Sequence, residues 1–134
     1  MPQKNENLSY SLGLSEIVLV VRDVPAAAKF YHEIVGLVPN QEIKDDDWAW
    51  FWAGKPGQPQ QIALAKPPLL FEENSPLPEN KRWGQVHFAL HVPRENLDSS
   101  VNRVRQKGVE VYGPIKFKWM KATAYYFYDL DGNL

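Results

Sequence analysis

The sequence contains no cysteine. That excludes disulfides, thiolate metal sites and a thiol nucleophile, and it fits a reducing compartment, so a cytoplasmic protein is expected. Neither sign of charge is in excess: 15 basic and 16 acidic residues give a formal charge of -1. Without a basic surplus there is no electrostatic case for nucleic acid or for an anionic membrane surface. No apolar run approaches the roughly 20 residues of a membrane span, and the opening MPQKNENLSY lacks the apolar segment of a secretory signal. Large aromatics, by contrast, are plentiful. Five Trp, six Tyr and six Phe in 134 residues imply a wide apolar surface in a core, a ligand cavity or an interface. The length suits one compact domain, or two small modules sharing a core.

The chain repeats itself. Glu16-Ile17-Val18-Leu19-Val20-Val21 leads through Asp23 and a helical pattern to Gly36-Leu37-Val38. His87-Phe88-Ala89-Leu90-His91-Val92 leads through a second helical pattern to Gly108-Val109-Glu110-Val111. Glu16 and His87 are 71 residues apart, and Gly36 and Gly108 are 72 apart. One strand-helix-strand unit is therefore used twice. Glu16 and His87 take equivalent places, each a polar residue opening an apolar strand.

In the first module, at about 14–66, a strand is expected near 15–22. Asp23 is a helix N-cap and Pro25 falls in the first turn, where its missing N–H costs nothing. Ala27, Phe30, Tyr31 and Ile34 recur on one helical face, and Gly36 closes the helix in the left-handed conformation. Strands follow near 38–44, 48–53 and 60–66, separated by the turns Asp45-Asp46-Asp47 and Gly54-Lys55-Pro56-Gly57. The proline-rich stretch at about 67–84 reads as a linker. The second module, at about 85–134, repeats the pattern with a strand near 85–92 and a helix near 94–107. That helix carries Leu97, Val101 and Val104 on one face, with Gly108 as its C-cap. Strands near 109–117 and 121–128 lead to a tight turn at Asp129-Leu130-Asp131-Gly132, with Gly132 at a positive-φ position. A fourth strand is expected to return along the third, and Leu134 lies two residues into it.

Taken in order, Val20-Val21-Arg22-Asp23, Phe30-Tyr31, Gly36-Leu37, Val86-His87-Phe88-Ala89-Leu90 and Tyr126-Phe127-Tyr128-Asp129-Leu130-Asp131-Gly132-Asn133-Leu134 resemble the vicinal oxygen chelate superfamily. That superfamily includes glyoxalase I, extradiol dioxygenases, fosfomycin-resistance thiol transferases and bleomycin-resistance proteins. The resemblance covers residues 14–134 and departs from the recurrent hairpin where Leu130 stands for proline. It implies an α+β fold of two βαβββ modules whose mixed sheet forms a cup, with the helices outside. A homodimer is also implied, because it is the family's usual state.

The resemblance implies a metal site as well. Of the family's four ligand positions, the first falls on Glu16, the second at about Ala63, which has no donor, and the third on His87. The fourth is a Glu expected about two residues beyond Leu134. Three protein ligands with open coordination positions are what a catalytic metal needs. Two carboxylates and one imidazole make a harder set than the 2-His-1-carboxylate triad of non-haem iron, so manganese, magnesium, zinc or nickel is the expected divalent ion.

His91 shares a strand face with His87 and is expected to line the cup. A three-residue loop after Asp129 would put Tyr126 and Tyr128 on the same side. Tyr126 is then the candidate proton donor, and Tyr128 a substrate contact. Trp48, Trp50 and Trp52 alternate and share one sheet face. They form an aromatic wall if that face lines the cup, and pack on the first helix if it does not. Trp119 is expected to add to the wall, and Lys116, Lys118 and Lys121 form a local positive patch. Two functions follow: a divalent-metal-dependent enzyme of glyoxalase or dioxygenase type, or a metal-free protein sequestering an aromatic or hydrophobic small molecule.

Overall fold

The structure, a computed structural model, describes residues 13–67, 78 and 84–134. The polar opening segment lies outside the described residues, as does the expected linker apart from positions 67, 78 and 84.

In the first module β1 (Glu16–Val20) is followed by α1 (Val24–Lys29), β2 (Val38–Pro39), β3 (Trp48–Trp52) and β4 (Gln61–Ala65). They form one mixed sheet in the order β1-β4-β3-β2, with β1 parallel to β4 and the other pairs antiparallel. The second module contains a 3₁₀ turn at Arg94–Asn96, α2 (Leu97–Gln106), and the antiparallel pair β5 (Tyr112–Phe117) and β6 (Ala122–Tyr126). The fold class is α+β, as expected. Among the described residues no helix is long and apolar enough to cross a membrane.

The first helix begins where its cap chemistry requires. Asp23 accepts a hydrogen bond from Ala26 N at 3.0 Å, and proline occupies the first turn. From Phe30 to Val35 the helix widens into a π-helical stretch, a departure from the regular helix expected. The Tyr31 carbonyl accepts from both Gly36 N and Leu37 N, at 3.0 and 2.9 Å. Gly36, at φ 90°, adopts the left-handed conformation that permits this closure.

One side of the sheet packs on this helix. Leu19, Val21, Phe51, Ile62 and Leu64 are buried against Ala27, Phe30 and Tyr31. Val86, Phe88, Leu90, Val109 and Phe127 of the second module pack on the same cluster, so the two modules share a core. The closing turn pins them together. Asp129 takes the Tyr31 hydroxyl on Oδ2 at 2.7 Å, and its two oxygens accept three further bonds from Asp131 N, Asn133 N and Asn133 Nδ2. Arg22 donates from its backbone N and from Nε to Asp131 Oδ1, both at 3.0 Å. Burial, and then the Asp129 carboxylate, push the ionisation of the Tyr31 phenol far above the ordinary tyrosine range. The predicted turn is present: Asp129 N donates to Asn133 O at 2.9 Å, and Gly132 has φ 83°.

Two strands differ from expectation. The strand near 38–44 is only Val38–Pro39. Asn40 ends it by turning inward, where its side chain donates to Gln61 Oε1 at 2.9 Å and accepts from Glu42 N at 3.2 Å. This local turn competes with the ladder for the backbone. The segment expected as a strand near 85–92 has no regular strand assignment. Among the described residues its backbone meets the chain end: Phe88 N donates to Leu134 O at 3.0 Å, Leu134 N to Val86 O at 2.9 Å, and Val86 N to Asn133 Oδ1 at 2.9 Å. A single bridge does not make a ladder.

Candidate functional site

Strand alternation divides the first sheet into two faces. Ile17, Leu19, Phe51, Ile62 and Leu64 point to α1. Glu16, the three tryptophans of β3, Gln61, Ala63 and Ala65 therefore share the opposite face. The register sets Trp48 beside Ala65, Trp50 beside Ala63 and Trp52 beside Gln61. Trp48 and Trp50 stack with ring centroids 5.3 Å apart and planes 15° from parallel. Across the sheet, Trp50 Nε1 donates to Glu16 Oε2 at 3.3 Å. Bulky indoles stacked beside small alanines give an aromatic shelf edged by one carboxylate. Of the two expectations for this face, the packing of the tryptophans on the first helix is overturned, since α1 occupies the other side.

The second module brings together two more of the predicted residues. His87 and Tyr126 meet edge to face, with centroids 6.3 Å apart and an interplanar angle of 80°. Phe127 turns the other way, towards Phe30, at 6.5 Å. Tyr128 meets Tyr112 edge to face at 6.3 Å. Tyr112 was not singled out from the sequence, although it pairs directly with Tyr126. The signal was its place opposite Tyr126 on the neighbouring strand. His91 is exposed, like His87. Trp119 does not join the Trp48–Trp50 shelf in any described contact. It stands 81% exposed on a 3₁₀ turn, with its ring against Phe117. Lys116, Lys118 and Lys121 are all exposed.

The donors for a metal can be weighed directly. Glu16 is engaged with an indole, Ala63 has no donor atom, and His87 faces a tyrosine edge. No three His, Cys, Asp or Glu side chains among the described residues form a group that could hold an ion. Two candidate ligands fall one short of a catalytic site, so the described residues do not fit a bound divalent ion by themselves.

With this geometry in place, the glyoxalase/bleomycin resistance protein/dioxygenase superfamily profile matches residues 13–134. The chain belongs to this superfamily. An integron cassette protein from the mobile metagenome of Halifax Harbour sewage outfall is 26% identical, with a TM-score of 0.70 over 92% of this chain and 94% of that one. Lactoylglutathione lyase from Agrobacterium tumefaciens is 23% identical, with a TM-score of 0.69 over 93% and 91%. An antibiotic binding protein from Streptomyces sp. CB03234 is 20% identical, with a TM-score of 0.62 over 94% and 93%. The last two likenesses speak for the fold alone. A comparison with curated proteins gives no match. An enzyme and a binding protein thus share this fold, and the fold does not choose between them.

Proposed function

We propose that this superfamily member binds an aromatic or hydrophobic small molecule against the Trp48–Trp50 shelf. The observation that carries the reading is the stack itself. Two indoles lie nearly parallel, stacked with centroids 5.3 Å apart, on the sheet face opposite the first helix. Aromatic surface of this kind recognises a flat ligand through dispersion and offset stacking, worth about 0.5–1.5 kcal/mol per ring pair beyond area burial. In this reading the two modules complete a cup over the ligand, within one chain or across a homodimer. The exposed Tyr112, Ile115, Tyr128 and Leu130 of the second module supply apolar surface for that assembly. The cysteine-free composition agrees with a cytoplasmic setting. Trp48→Ala should lower the affinity for a planar aromatic at least about tenfold in calorimetric titration. An unchanged affinity would remove the shelf from the site.

A second reading, the metal-dependent enzyme, draws on one observation. Leu134 N donates to Val86 O as Gln61 N donates to Ser15 O, at 2.9 and 3.0 Å. His87 is therefore bridged to Leu134 as Glu16 is paired with Gln61. In a longer chain continuing this register, the second residue after Leu134 takes the place that Ala63 holds in the first module. A carboxylate there would join Glu16 and His87 as the third ligand, with Tyr126 and His91 alongside. Calorimetry with manganese, zinc, magnesium and nickel tests it. Binding of one ion that is lost in His87→Ala favours the enzyme; no such binding leaves the aromatic-ligand reading alone.

A further inference from the structure

We infer that the ligand of the tryptophan shelf is cationic: a planar aromatic or heteroaromatic molecule bearing positive charge, selected by Glu16. This rests on the small-molecule reading above and names the ligand's class. Three observations converge. First, of the first-sheet residues on the shelf side, Glu16 is the one that carries charge; its companions are Val18, Val20, Val38, Trp48, Trp50, Trp52, Gln61, Ala63 and Ala65. A basic residue that could neutralise it is missing from this set, and no described ion pair engages it. The one described salt bridge joins Arg22 to Asp131.

Second, the carboxylate is placed to act on the ring system. Its Oε2 accepts the Trp50 indole N–H at 3.3 Å, and its Oε1 accepts no hydrogen bond among the described residues. Glu16 is exposed, so that second oxygen is reachable from solvent. An anion at the N–H edge pushes electron density into the indole and deepens the negative potential over its face. A cation lying on that face is then attracted both by the ring quadrupole and by the carboxylate beside it.

Third, the geometry suits a flat ligand rather than a compact ammonium. Parallel rings with planes 15° apart leave flat outer indole faces on which a planar ligand can continue the stack, whereas small quaternary ammonium groups are held in cages of rings set around them. The basic residues Lys116, Lys118 and Lys121 lie in the other module, on β5 and the turn after it. Nearer the shelf, Lys29 and Lys44 line one hollow with Trp48 and Trp50, where Glu33, Asp45 and Asp46 outnumber them.

The test uses three tricyclic probes of similar size titrated calorimetrically: proflavine as the cation, acridone as the neutral analogue, and anthracene-9-carboxylate as the anion. Proflavine should bind about fivefold tighter than acridone, as expected from a surface cation–π contact combined with an exposed ion pair. Anthracene-9-carboxylate should bind weakest. Glu16→Gln should erase the preference for proflavine over acridone. Raising the salt concentration on the unaltered protein should weaken proflavine binding and spare acridone, a readout that needs no variant to fold. Equal affinities for cation and neutral probe, or a preference that survives Glu16→Gln, would overturn the charge selection and leave the aromatic shelf standing. Binding of none of the three would overturn the shelf itself.

Discussion

The two halves of the chain follow one sequence pattern and end in different physical states. In the first, β4 is buried along four of its five residues, between α1 on one side and the tryptophan shelf on the other. In the second, five of the six residues of β5 are exposed, and the segment bearing His87 is extended without a ladder. A repeated pattern of apolar residues therefore specifies the order of elements twice over, but burial depends on what packs against each copy. The first module surrounds its central strand with its own residues. The second lends Val86, Phe88, Leu90 and Phe127 to the first module's core and leaves its own sheet open.

Cavity formation is where this contrast should be largest. Leu64→Ala empties space around a side chain with 0% exposure, and should destabilise the protein by about 3 kcal/mol in chemical denaturation. Ile115→Ala, at 44% exposure in the second module, should cost less than about 1 kcal/mol. Similar losses at both sites would mean that the second sheet is covered in solution, as a homodimer would cover it, and the molar mass from light scattering would then be that of a dimer.

The clasp between modules comes next in size. Asp129→Ala removes the acceptor of four hydrogen bonds, from Tyr31, Asp131 and twice from Asn133. A loss of about 2 kcal/mol is expected, together with faster amide exchange at Phe88 and Leu134. If exchange there is unchanged, the turn does not hold the second module in place.

The smallest effect is read against pH. Tyr31→Phe deletes one hydrogen bond across the modules and should cost about 1 kcal/mol near neutrality. In the folded protein burial and Asp129 hold the proton on Tyr31 more tightly than in the unfolded chain. The stability this gives is fully present below the unfolded tyrosine value of about 10 and declines as pH rises beyond it. Denaturation of wild type and Tyr31→Phe between pH 8 and 11 should therefore show the wild type's advantage shrinking with alkali. An advantage that grows with pH would reverse the assignment.

Element order, helix starts and helix ends were legible in local chemistry. Asp23 capping α1, Gly36 and Gly108 at positive φ, and the turn closed by Asp129 and Gly132 each follow from what one or two residues can do with the adjacent backbone. The common face of Trp48, Trp50 and Trp52 was legible too, since alternation along a strand needs no partner. The stack of Trp48 on Trp50 and the bond from Trp50 to Glu16 were not, because they depend on β4 lying between β3 and β1. Nor was the strand lost after Pro39, where Asn40 turned inward to meet Gln61.

By itself, the sequence determined a twice-used unit, its caps and turns, and the candidate positions Glu16, His87 and Tyr126, because these rest on interactions between near neighbours or on the length of a repeat. Only the tertiary structure decided that His87 meets Tyr126, that Glu16 is held by an indole, and that Trp119 meets Phe117. The physical reason is distance along the chain. Glu16 and Trp50 are 34 residues apart, and Tyr31 and Asp129 are 98 apart. Contacts at such separations are chosen by sheet order and shared burial, which no local pattern encodes.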